Sequence, residues 1–222
     1  MRVLVIAPHA DDEVLGCGGS MARHVSQGHE VHVVVVTLDV PDVLSPEETE
    51  GLRGELREAH GLLGVSNTTF LDLPAPMLDT VPHCELATAF SRHIEALGPH
   101  TVYVPHRGDI HVDHRAVYHA ALVATRPMNH CPVRRLLSYE TLSSTEWGPP
   151  VGAEAFVPTV FVDITAFLDR KLRALACYRS QLKPSPNARS LEASEALAHL
   201  RGATVGCDAA EAFMLVREIE LG

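Results

Sequence analysis

Residues 3–13 read Val3-Leu4-Val5-Ile6-Ala7-Pro8-His9-Ala10-Asp11-Asp12-Glu13 and run on into Val14-Leu15-Gly16-Cys17-Gly18-Gly19. The apolar run Val3 to Ile6 is short and β-branched, as a buried strand is, and the segment from Val14 opens a helix. The ionisable residues therefore stand on a strand-to-helix turn. In an open α/β sheet, ligands bind in the crevice beyond the carboxyl ends of the strands. His9 and Asp12 offer nitrogen and oxygen ligands to a metal that takes mixed coordination, and Asp11 between them is free to move a proton. The turn points to a metal-dependent hydrolase.

Outward from that turn, strand-like and helix-like segments alternate. A helix over 14–28 stops at Gly28, and Glu30 to Thr37 is a β-branched second strand. A polar loop with Pro41 follows. Ser45-Pro46-Glu47-Glu48 supplies an N-cap, a proline at the first helical position and early acidic charge, which predicts a helix over 46–63. The pattern then predicts strands at 68–71 and 101–104 around a helix at 84–97. The fourth strand runs into Pro105-His106-Arg107-Gly108-Asp109-Ile110-His111-Val112-Asp113-His114-Arg115, so a second chemical stretch leaves the same edge of the sheet as the first. If a helix starts at Asp113, His111 and His114 face one cavity. Beyond Ala124 the pattern predicts strands at 133–139 and 157–163, helices at 164–180 and 190–201, and a short helix over 209–216. Strands separated by helices mean crossover units. The expected fold is a single α/β domain over residues 1–222, Rossmann-like and three-layered, with a mostly parallel sheet.

Bulk properties set limits. The 222 residues, 46% hydrophobic and 21% charged, suit one soluble domain with a real core. A net charge of -10 without a basic stripe excludes an extended nucleic-acid surface. No apolar segment is long enough to span a bilayer and no signal-peptide pattern leads the chain, so no membrane partner and a cytoplasmic location are expected. The apolar content allows a subunit interface, which leaves a homo-oligomer open. The five cysteines are scattered, without a C-x-x-C pair, and read as small buried residues rather than a disulfide framework or zinc site.

The sequence His9-Ala10-Asp11-Asp12-Glu13 followed by Gly16-Cys17-Gly18-Gly19, with His111-Val112-Asp113-His114 further on, resembles the LmbE-like, or PIG-L, zinc-dependent N-acetylsugar deacetylases. Arg53, Glu55 and Leu56 fit a pattern of that family, and Tyr178-Arg179-Ser180-Gln181 and Ala210-Glu211-Ala212-Phe213 look like its tail. The resemblance implies zinc, or another divalent metal, on His9, Asp12 and His114, leaving a fourth position open; such a zinc lowers the pKa of a bound water to about 7. It also implies Asp11 as general base and His111 as the donor to the developing oxyanion and a candidate acid for the leaving amine. Asp113 would orient His111 and favour its charged form. Arg53 and Asp109 are the candidate substrate contacts, although Arg53 beside Arg57 equally reads as a solvated charge. Some sugar deacetylases of the family carry a tyrosine where this chain has Asp109. His106 either lines the cavity or holds its loop.

The implied reaction removes an N-acetyl group from an N-acetylglucosamine-type sugar on a larger small-molecule conjugate, giving acetate and a free amine. The alternatives are an amidase acting on a larger acyl group and a non-catalytic metal- or carbohydrate-binding protein, for which Asp11 would be unnecessary. A dinucleotide-binding reading of Gly16-Cys17-Gly18-Gly19 with Asp39 fails, because Asp11, Asp12 and Glu13 would repel a pyrophosphate. Those glycines instead let the first helix pack closely on the sheet. Most of the fourteen histidines, His24, His29, His60, His83 and His199 among them, read as surface or helix residues without a role. Substrate choice is expected to lie in the loops 38–46, 72–83 and 140–158, and Tyr139, Glu140 and Tyr178 have no place assigned from sequence.

Overall fold

A computed structural model describes residues 1–39 and 44–221, so the expected loop at Pro41 lies outside the described residues. Seven strands form one sheet in the order β3-β2-β1-β4-β5-β7-β6. They are β1 (Arg2–Ala7), β2 (Glu30–Asp39), β3 (Asn67–Pro74), β4 (Thr101–Pro105), β5 (Arg135–Tyr139), β6 (Val160–Asp163) and β7 (Ala210–Glu218). The first five are mutually parallel, and β7 runs antiparallel to both β5 and β6. The helices are α1 (Asp12–Ser26), α2 (Pro46–Leu63), α3 (His83–Leu97), α4 (Val112–Ala124), α5 (Leu168–Leu175) and α6 (Leu191–Val205). No helix among the described residues is long and apolar enough to cross a membrane.

The strand period of two sorts the core into two layers. Val3 and Val5 of β1 with Val31, Val33 and Val35 of β2 pack against α1, α2 and α5; Leu4 and Ile6 with Val34, Val36, Val102 and Val104 pack against α3 and α4. Burial on both faces is why these strands read as continuous apolar runs. The chain winds outward from β1 in both directions, so the β1/β4 junction, where Val3 pairs with Thr101 and Val5 with Tyr103, is the point where strand order reverses. A crevice opens there beyond the strand ends. Both chemical stretches leave these two neighbouring strands.

Several boundaries differ from the pattern. Ala210 to Glu218 is a strand, not a short helix. Its alternation is hidden because Glu211 points inward, where Lys171 donates to Oε1 at 2.7 Å and the backbone N–H groups of Gly19 and Ser20 donate at 2.8 and 2.7 Å. The helix expected over 164–180 is a 3₁₀ turn at Thr165–Phe167 followed by α5, which ends before Tyr178. Cys17 and Cys177 are buried as expected, but Cys84 is exposed, on the outward first turn of α3.

The close packing of α1 rests on its glycines. A Cβ on Gly16 would overlap the ring of buried Tyr139, whose hydroxyl donates to Ile6 O at 2.9 Å, and one on Gly19 would stand 2.7 Å from Ile164 Cδ1. Overpacking costs about 1–3 kcal/mol, more than the ~1 kcal/mol of helix propensity that alanine adds. Gly16→Ala is therefore expected to lower the urea midpoint. Gly51→Ala, on an exposed stretch of α2 with open space around it, is expected to raise it.

Candidate active site

The first turn is built by an unusual backbone. Asp11 caps α1 in the left-handed region, at φ 99°. Its N–H donates to Glu13 Oε2 at 3.2 Å, and its carbonyl accepts from Val14 and Leu15 at 3.1 and 2.9 Å. Glu13 is itself held from behind, because Tyr178 O–H donates to its Oε1 and His60 Nε2 lies 3.1 Å from the same oxygen. His60, read from sequence as a residue without a role, is thus buried support for the turn, its other nitrogen 2.6 Å from Thr68 Oγ1. His24 is likewise engaged, 3.0 Å from the Tyr103 hydroxyl.

Three ligand-type atoms converge in front of the turn. His9 Nδ1 lies 3.1 Å from Asp12 Oδ2, His114 Nε2 lies 3.2 Å from the same oxygen, and the two nitrogens are 3.4 Å apart. A tetrahedral ion bonded at ~2.0–2.1 Å places its ligand atoms roughly 3.3 Å apart, so this triangle has the size of one face of a zinc site. The outer nitrogen of each imidazole faces a carboxylate, His9 Nε2 at 3.1 Å from Asp113 Oδ2 and His114 Nδ1 at 3.0 Å from Asp109 Oδ2. Such backing fixes the tautomer that directs the inner lone pair at a metal. The nitrogens of His9, His111 and His114 also lie within 4.8 Å of one another. That grouping is looser than the triangle through Asp12, which also leaves Asp12 Oδ1 buried without a partner among the described residues.

The electrostatics favour a cation at this point. Burial opposes charge on His114, but Asp12 and Asp109 outweigh it and push its pKa up to about 10. His9 is raised against the same opposition by Asp113 and Asp12. Burial likewise disfavours the charged form of Asp12, Asp109 and Asp113, yet the imidazoles hold all three carboxyls below the usual range. Asp11 differs. Burial, with Asp12 and Glu13 adding to it, pushes its pKa up to about 8 against the opposing pull of Arg189. His111 is pushed down to about 4 by burial and by His9 and His114. Asp113 N–H donates to His111 Nδ1 at 3.2 Å, so the neutral ring carries its proton on Nε2.

Two expectations are corrected by these contacts. Asp113 is expected to orient His111 and favour its charged form; its charge does favour that form but is outweighed by burial, His9 and His114, and its carboxylate contacts His9 and Leu78 N–H, which donates to Oδ1 at 2.9 Å. The short Asp113 side chain, in the first turn of α4, reaches across to His9 on the turn after β1. Asp109 was a candidate substrate contact, yet it is only 1% exposed. His114, Ser144, Thr145 and the His111 N–H occupy its oxygens. Arg53 pairs with Asp72 and Glu50 and lies over the Phe70 ring, with its Cζ 4.5 Å from the centroid, and touches none of the clustered residues. His106 holds its loop, 2.8 Å from Glu154 O.

Ser144, Thr145 and Arg189 were not found from sequence. None of the three lies on an α-helix or a strand, and away from those elements a hydroxyl or a guanidinium carries no periodic signal. Tyr139 and Tyr178 are both fully buried, and Glu140 accepts two hydrogen bonds from Arg201 at 2.8 and 2.7 Å. The tail motif is also structural at Ser180, whose Oγ donates to Glu55 Oε2 at 2.7 Å. Solvent reaches the cluster at His9 and His111, while Asp11, Asp12, Asp113 and His114 lie below them.

Residues 4–125 match the family model described as PIG-L, GlcNAc-PI de-N-acetylase. The chain is 31% identical over 190 residues to the uncharacterized deacetylase YaiS of Escherichia coli K12, covering 80% of this chain and 90% of that protein. It is 29% identical over 240 residues to a 1D-myo-inositol 2-acetamido-2-deoxy-alpha-D-glucopyranoside deacetylase of Saccharomonospora viridis, covering 85% and 88%. Among solved structures, the conserved protein TT1542 of Thermus thermophilus superposes with a TM-score of 0.78 at 30% identity, over 99% of this chain and 96% of that one. The match over both histidine-carboxylate stretches, on a fold shared along nearly the whole chain, establishes that this protein belongs to the PIG-L family of de-N-acetylases.

Proposed function

We propose that this protein hydrolyses the N-acetyl group of an N-acetylglucosamine-type sugar carried on a larger conjugate, using a divalent metal, zinc in the first instance. The observation that carries the reading is the triangle of His9 Nδ1, Asp12 Oδ2 and His114 Nε2, with a carboxylate behind each imidazole and Asp11 beside it. Names borne by relatives supply the acetylated amino sugar. A zinc ion held there supplies a Lewis acid for the amide carbonyl and a lowered pKa for water.

The remaining chemistry is assigned to the chain's own side chains. Asp11 Oδ1 is buried without a partner among the described residues and takes the proton of the attacking water. A carboxyl whose pKa burial has pushed up to about 8 takes a proton more readily than an ordinary carboxylate. His111, neutral with its proton on Nε2, donates to the amide oxygen as it becomes negative. As the C–N bond breaks, the proton on Asp11 passes to the departing nitrogen, since a neutral imidazole is a poor acid. Asp113 and Asp109 act through His9 and His114, keeping each ring turned to the metal position.

Acetate release from a panel of N-acetylglucosamine conjugates is expected for at least one member, lost on chelation and restored by zinc. Absence of release with metal bound would move the assignment to a larger acyl group or to a binding role. Asp11→Asn should lower kcat by about 10²–10⁴ with metal content unchanged; retained turnover removes Asp11 from the base role. Asp109→Asn should weaken metal affinity by about 10- to 100-fold in competition with a chromophoric chelator. Asp72→Asn, at the distant Arg53 pair, should leave that affinity unchanged.

A further inference from the structure

Asp11 is fixed from two sides, and only one of them belongs to its own turn. Glu13 holds its backbone N–H, while the side chain is met by Arg189, which reaches in from the segment between α5 and α6. Arg189 Nη1 donates to Asp11 Oδ2 at 3.0 Å. Its Nε donates to Ser143 Oγ at 2.6 Å, and Nη1 also lies 3.4 Å from Gln181 Oε1. The backbone that carries it is anchored as well. Arg189 N–H donates to Asn187 Oδ1 at 2.9 Å, its carbonyl accepts from Lys183 N–H at 3.0 Å, and the next residue, Ser190, caps α6.

This arrangement distinguishes the two oxygens of the Asp11 carboxylate. Oδ2 is occupied by the guanidinium, whereas Oδ1 is buried and has no hydrogen-bond partner among the described residues. An unpartnered buried carboxylate oxygen is costly, and it persists only where the surrounding contacts dictate its position. A guanidinium is suited to dictating it, because its planar fork stays charged and loses less freedom per hydrogen bond than an ammonium does. Resting on the reading of Asp11 as proton acceptor, we propose that Arg189 is a positioning residue that selects Oδ1 as the accepting atom and holds it in the orientation the reaction needs. The contact joins a segment outside the matched residues 4–125 to the motif turn.

The test is a pair of double-substitution cycles on the full chain, using Arg189→Ala, Arg189→Lys, Asp11→Asn and their combinations. In urea unfolding, Arg189→Ala and Asp11→Asn are expected to be non-additive, as residues in direct contact are. In acetate release from the N-acetylglucosamine conjugate turned over fastest, Arg189→Ala is expected to lower kcat about 10- to 100-fold, the scale of a misplaced reacting group. KM should stay within about twofold, and Arg189→Lys should recover part of the loss by replacing the single contact to Oδ2. On the Asp11→Asn background, Arg189→Ala should cost no further kcat. Additive losses in urea, a loss of kcat that persists on that background, or a raised KM with unchanged kcat would each overturn the proposal, the last by making Arg189 a substrate contact. If Asp11→Asn itself retains turnover, the proton-acceptor reading fails separately, and the urea cycle still decides whether the contact exists.

Discussion

Five carboxylates, Asp11, Asp12, Glu13, Asp109 and Asp113, are buried together at the carboxyl edge of two neighbouring strands. Removing one such charge from water is costly, and like charges side by side make it worse. Much of the structure around the β1/β4 junction is an answer to that constraint. His9 and His114 stand between Asp12 and the two outer aspartates, the N–H of Leu78 and that of His111 meet Asp113 and Asp109, and Ser144 and Thr145 add hydroxyls. Glu13 is met by Tyr178 and His60 from the opposite side. The loops after β3, β4 and β5 and the segment after α5 all converge here, which is why residues distant in sequence share one cluster.

The fold makes that convergence possible through its sheet order. Crossovers on either side of β1 leave the crevice at the β1/β4 junction uncovered, and the strands beneath it are buried on both faces. The antiparallel β7, between β5 and the edge strand β6, then brings a further buried ion pair, Lys171 with Glu211, under the middle of α1. A buried pair of this kind is weak evidence for net stability. Here Glu211 also meets two backbone N–H groups of α1, so it fixes where that helix lies against the sheet. The helix that carries Asp12 is thereby held at its start by Glu13 and in its middle by the tail motif.

The parts of this legible in the sequence were those with a period or a spacing. The apolar runs of β1, β2 and β4, the N-cap at Ser45 with Pro46 after it, and the two histidine-carboxylate stretches leaving the same edge of the sheet could all be read directly. Glu211 hid β7, because an inward charge breaks the alternation that marks a half-buried strand. His60 and Tyr178 were illegible for a different reason. Their importance lies in what they meet across the fold, Glu13, and nothing local marks a histidine on a helix face as the support for a turn near the N-terminus. The contact of the Asp113 carboxylate with His9 has no sequence signal either, because His9 lies on the turn after β1, 104 residues away, whereas His111 is two residues off.

Once the charges are compared, the different fates of the two adjacent aspartates follow from their neighbours. Asp12 lies between two imidazoles that pull its carboxyl well below the usual range, so it stays an anion and suits a metal ligand. Asp11, one residue earlier, is turned by its left-handed backbone away from those imidazoles and toward the single guanidinium of Arg189. Burial outweighs that one partner and pushes its pKa up to about 8, so the same side-chain chemistry suits a group that gains and loses a proton. The positive φ at Asp11, strained for a residue other than glycine, is held in place by the Glu13 contact to its N–H and the Arg189 contact to its side chain.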